Sequence, residues 1–293
     1  MFLPSGGQGG EKVKSEKLKV KSKSGAKASK AQGKKKTARS KKKKTSKIKS
    51  QTSLSPINLK ALLEAGCHFG HRVAKTHPKS KVYLYGKRGG VQIFDLIQTG
   101  KLLDKARNFL VKLASRGEKV LLVGTKRQAR KAVRRVARES GMPFVNNRWL
   151  GGTLTNWSEM SKRIKRLEKL QKQMEAGSFA RRTKREQSLI RKEIFDLKVK
   201  FEGLSSLKNL PSALVVVDIV REKIAVTEAR TAGIQIVAIT DSNTDPTLVD
   251  YPIPANDDAR KSIELITEIL GEAILFGKQL DTGSKKENKN EKE

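Results

Sequence analysis

Three short apolar runs limit what this chain can fold into: Val120–Val123, Ala213–Val217 and residues 234–239, the last broken by Gln235. None alternates with polar residues, so each suits a strand buried on both faces, as in a parallel sheet. Each is followed by a turn signal and a helical pattern: Gly124-Thr125 then 126–139, Asp218 then 221–232, and 241–246 leading through a short run at 249–253 to a helix over 257–279. Strands alternating with helices predict a doubly wound α/β layer with a mainly parallel sheet. Phe144-Val145 adds a further short strand. Upstream, Ser55 as N-cap and Pro56 at the first position predict a helix over 57–65 that stops at Gly66. Residues 81–85 and 91–96 read as strands around the 86–90 turn. Residues 98–115 read as a helix through Leu102, Ala106, Phe109, Leu110 and Leu113.

Between 155 and 204 the period changes. Trp157, Met160, Ile164 and Leu167 are spaced 3-4-3, with Met174 extending the seam beyond Gln171. Ile190, Ile194, Leu197, Phe201 and Leu204 are spaced 4-3-4-3. Two such seams joined near Gly177 predict an inserted antiparallel coiled-coil hairpin. The segment 147–157 (N-R-W-L-G-G-T-L-T-N-W) leads into it and holds both tryptophans of the chain. Its tryptophans are expected to fix the hairpin by packing, with Arg148 left to face a ligand.

Charge narrows the function. The chain carries a formal +35 over 293 residues. Residues 1–54 contribute +16 from 17 Lys, one Arg and two Glu, and residues 55–293 contribute +19. The excess therefore extends into the folded part and points to a polyanionic partner, nucleic acid before an anionic membrane. Residues 1–54 are low-complexity and Lys-rich, too poor in apolar surface to offset chain entropy, and are expected to be disordered, as is the polar tail 281–293. The extension reads either as a phosphate-neutralising arm or as a solubilising tail. One Cys excludes an internal disulfide framework. No run approaches ~18 apolar residues, so no membrane span is expected.

Arg127, Arg130, Lys131, Arg134 and Arg138 fall near one face of the helix expected after Gly124. So dense a face of one sign asks for an anion. With Arg148, and with Lys165, Arg166 and Arg185 on the hairpin, Arg127, Arg130 and Arg134 make the RNA-binding set. The turn at 124–127 sits where α/β folds place phosphates on free N–H groups, but G-x-G-x-x-G and G-x-x-x-x-G-K-[ST] are both missing, so no nucleotide cofactor is expected. Asp218, Asp241 and Asp245 follow apolar strands, where an α/β enzyme holds Mg²⁺ or a base; they read equally as caps, and Asp257 as the cap of the last helix. The competing function is thus a Mg²⁺-dependent α/β enzyme using those aspartates, and a third is a membrane-surface protein tethered by residues 12–49. Cys67, His68, His71 and His77 are four potential ligands within eleven residues, yet no second pair accompanies them. A compact hydrogen-bonded turn is expected there, with no bound metal.

Segments in this order resemble one family. They are 66–71 (G-C-H-F-G-H), 83–86 with Arg88, 93–96 (I-F-D-L), 123–127 (V-G-T-K-R), 147–157, 240–246 (T-D-S-N-T-D-P) and 253–258 (I-P-A-N-D-D). Together they are similar to the bacterial and organellar form of small-subunit ribosomal protein two, over about 55–280. The resemblance implies a flavodoxin-like three-layer α/β/α fold with a coiled-coil hairpin. It implies no enzymatic activity and no cofactor. It further implies a structural role in the small ribosomal subunit, with small-subunit rRNA and neighbouring ribosomal proteins as partners, including ribosomal protein one, which it helps to dock during translation. The implied location is the ribosome of the cytoplasm or of an organelle matrix.

Overall fold

The computed structural model describes the backbone of residues 54–290 and the side chains of residues 54–281. The Lys-rich extension, up to residue 53, lies outside the described residues, as do the last three residues of the tail. The apolar runs form the strands expected of them: β4 (Val120–Val123), β6 (Ala213–Val217) and β7 (Gln235–Thr240), with β5 (Phe144–Val145) and β8 (Tyr251–Pro254) at the two edges. All pair in parallel in the order β5-β4-β6-β7-β8. Counted within this sheet alone, that order is 2-1-3-4-5, the flavodoxin-like winding.

Alternate residues of each strand feed opposite faces. Leu122, Val215, Val217, Val237 and Ile239 join α2 (Leu96–Ser115), α3 (Arg130–Ser140) and α7 (Arg260–Asn290) in one core. Leu121, Val123, Leu214, Val216 and Ile236 join α6 (Lys223–Thr231) and the inserted helices α4 (Trp157–Glu175) and α5 (Lys184–Phe201) in the other. The insertion occupies the crossover from β5 to β6. Of the residues at its expected seam, Met160, Ile164, Leu167, Ile194, Phe201 and Leu204 are buried, whereas Met174 is exposed. Arg166 donates from Nε to Glu193 at 2.8 Å, tying α4 to α5.

Several local expectations are corrected. The first helix, α1 (Leu59–Glu64), starts later than Pro56, because Asn58 accepts from the N–H groups of Lys60 and Ala61 and so outcompetes Ser55 as cap. Residues 69–72 are not a turn but strand β1 (Phe69–Arg72), which pairs with β3 (Val91–Phe94) in a second, antiparallel sheet completed by β2 (Leu84–Arg88). β2 begins only at Leu84, because Pro78 opens a 3₁₀ helix that runs to Tyr83. The helix after β4 begins at Arg130 rather than 126. α7 begins at Arg260 rather than 257, and Asp257 meets Lys126 instead of capping it; just upstream of the helix, Asn256 accepts from the N–H groups of Asp258 and Ala259.

Candidate nucleic-acid interface

In a sheet wound this way, ligands enter at the carboxyl ends of the strands where the order reverses, here between β4 and β6. The chain fills that crevice itself. The late start of α3 lets Lys126 turn inward. Its Nζ lies 3.1 Å from Asp218, 2.7 Å from Asp257 and 2.6 Å from Asp258. Thr125, whose N–H would greet a phosphate, donates instead to Glu222 Oε1 at 2.8 Å. Gly124 is required by close packing: a Cβ there would stand 2.8 Å from Val133 of α3. Asp218 takes a left-handed φ of 70° and accepts the Arg221 N–H.

The electrostatics follow from crowding. Burial works against the Lys126 charge, but Asp257, Asp258 and Asp218 outweigh it and hold the ammonium well above its ordinary range. Burial, with Asp218 and Asp241 nearby, pushes the Asp257 carboxyl up to about 7 despite the pull of Lys126. The hydrogen bond to Asp241 raises His71, whose Nδ1 sits 3.0 Å from Oδ1. Four carboxylates thus crowd around the Lys126 ammonium and the His71 ring.

The aspartates of the enzyme reading are therefore engaged. Asp245 starts a 3₁₀ helix by accepting from Thr247 and pairs with Lys79 at 2.8 Å, which depresses its carboxyl far below the usual range. Asp241 accepts from the N–H groups of Ser242 and Asp257. The Cys/His cluster does not converge. Cys67 is buried in the core, His77 accepts from the Lys79 N–H, and only His71 faces carboxylates. His71, Asp257 and Asp258 do place ligand atoms within 4.8 Å of one another, a donor set able to hold a cation. Sequence spacing misses it because Asp257 and Asp258 come from the other end of the chain.

The 147–157 segment is held by a residue that sequence reasoning did not single out. Glu228 of α6 accepts from Trp149 Nε1 (3.1 Å) and Gly152 N (2.8 Å) through one oxygen, and from Leu154 N (2.9 Å) and Thr155 N (3.4 Å) through the other. The signal was there: a Glu among Ala225, Val226 and Ala229 on the buried side of a helix. Trp149 is buried, so it anchors rather than stacks on a ligand. Arg148 stays exposed beside it.

The cations then divide. Arg130 braces its own loop, donating from Nε to the Thr125 carbonyl at 2.9 Å and reaching the Asn147 carbonyl at 3.4 Å. Arg134 and Arg138 share one carboxylate, Glu202, at 3.3 and 3.1 Å, and Arg135 pairs with Glu268. Arg166 is taken by Glu193. Arg127, Lys131, Arg148, Lys165 and Arg185 are exposed, with no side-chain partner among the described residues. Arg134, Arg148 and Lys200 converge on one recess between α3, the 146–148 loop and the end of α5.

Fold and surface together define a basic α/β protein whose doubly wound layer carries an appended helical pair and a strand-end crevice closed by its own side chains. Comparison with known families narrows this: the family described as ribosomal protein S2 matches residues 62–277. The chain belongs to the ribosomal protein S2 family and is a structural protein of the small ribosomal subunit, a class that is typically non-enzymatic. Among the described residues no helix is long and apolar enough to cross a membrane.

Proposed function

We propose that the chain binds small-subunit rRNA by neutralising phosphates, using Arg127, Arg134 and Arg148 at the head of the α/β layer and Lys165 and Arg185 along the inserted pair. What supports this best is the recess where Arg134, Arg148 and Lys200 converge at the root of the insertion. Two arginines on the single carboxylate of Glu202 leave a surplus cation there, and Arg148 adds another. Arg130 and Arg166 act as positioning residues within the same surface, since both are bonded inside the chain. The α4–α5 pair serves as a coiled-coil arm that presents its outer cations, and the Lys-rich extension adds non-specific attraction. The cytoplasmic or organellar ribosome is the proposed location.

Docking of ribosomal protein one is part of the same reading. Phe69 and Tyr85 lie exposed on the small antiparallel sheet, an apolar surface left open to a protein partner. The test is filter binding of the full chain to small-subunit rRNA across a salt series. Arg127→Ala with Arg148→Ala is expected to weaken binding and to flatten the slope of log K on log salt by about two contacts' worth, with the thermal melt unchanged. An unchanged slope removes these residues from the interface. Equal affinity for anionic vesicles without RNA favours the membrane-surface reading instead.

A further inference from the structure

The far end of the helical pair carries a cavity that phosphate neutralisation does not use. Met174, Gly177, Phe179, Gln187, Ile190 and Arg191 line about 270 Å³ between the ends of α4 and α5. A water molecule's share of liquid is ~30 Å³, so the space is ample for a planar heterocycle. The chain's own bonds shape the rim. Gln187 Nε2 donates to the carbonyls of Phe179, Ala180 and Arg182 at 3.1, 3.4 and 3.0 Å, pinning the loop over the cavity. Thr183 and Glu186 form a reciprocal capping box that secures the start of α5. Apolar groups make up most of the lining, and Met174 among them remains 44% exposed.

The surroundings are cationic. Arg181, Arg182, Lys184, Arg185 and Arg191 stand against Glu175 and Glu186 alone within 174–191, and Glu186 is committed to Thr183. The Arg182 guanidinium lies 5.5 Å from the centroid of the Phe179 ring. An aromatic wall with Arg182 against it and Arg191 in the lining matches the two needs of an unpaired nucleotide, a π-face for the base and cations for the phosphates on either side. An acidic protein segment carrying an apolar side chain is the competing occupant, and crosslinking from position 179 distinguishes the two.

We propose that this cavity takes the base of an unpaired RNA nucleotide, stacked on Phe179, with the flanking phosphates on Arg181, Arg182 and Arg191. The proposal rests on the rRNA-binding reading above. It is tested by filter binding of the full chain to small-subunit rRNA at several salt concentrations. Phe179→Ala and Phe179→Leu should each weaken binding, the former by about tenfold to a hundredfold, with the salt slope unchanged because no phosphate contact is lost. Phe179→Trp should hold the affinity, which separates stacking from loop packing. Arg181→Ala with Arg182→Ala should instead reduce the slope by roughly 1.4. A photo-crosslinker at position 179 should label an unpaired nucleotide. If the wild type binds and the Phe179 variants match it, or if position 179 labels a protein instead, the cavity is not a base site. If the wild type itself does not bind the rRNA, the broader reading falls with it.

Discussion

Glu228 shows how one side chain can set a functional surface without touching a ligand. Its two oxygens take four N–H groups from the turn that carries Arg148, and a buried carboxylate so bonded is stable only while every donor is present. Glu228→Gln replaces one acceptor oxygen with an amide that points its own hydrogens at N–H groups. The expected loss is about 2–3 kcal/mol, a drop of roughly 5–10 °C in melting temperature for a domain of this size, measured by calorimetry. rRNA binding should weaken too, although Glu228 carries the wrong charge to meet a phosphate. An unchanged melt would mean that the turn holds itself. The same logic separates Arg130 from Arg127: three residues apart in sequence, one is spent on backbone carbonyls and the other is exposed.

At the scale of elements, the inserted pair matters through how it leaves the α/β layer. α5 ends at Phe201, and Gly203 then passes so close to β5 that a Cβ would collide with the Phe144 backbone carbonyl and ring. Gly203→Ala is therefore expected to cost about 2 kcal/mol or more and to loosen the pair against the layer. Hydrogen exchange should show faster exchange in α5 and β5 than in β6 and β7; uniform protection would contradict this. The helical spacing announced both inserted helices and their buried stripe. It did not announce the ion pairs that tie them to each other and to α3, because Arg166–Glu193 and Arg134–Glu202 join residues 27 and 68 positions apart. The dense cationic face of α3 asked for an anion, and the chain supplies part of one in Glu202.

For the whole molecule, the crevice cluster ties β4, β6 and the start of α7 to the small sheet through Lys126 and His71. Lys126→Met removes the ammonium that faces three carboxylates. Breaking a buried pair from one side costs ~3–5 kcal/mol, so the variant should unfold well below the wild type in urea, with the midpoint falling and the slope m unchanged. A variant as stable as the wild type would show that water reaches the site. The strands and helices of the parallel layer, their order and the basic character of the surface followed from the sequence alone, because burial on two faces and helical spacing are local patterns that neighbouring residues write together. Tertiary structure alone decided that Lys126 plugs the switch point, that Asp257 meets Lys126 rather than capping α7, that residues 69–72 are a strand, and which arginines are left to meet a partner. Each of those outcomes is a competition for a hydrogen bond or a counter-charge between residues far apart in the chain, and no local pattern records who wins it.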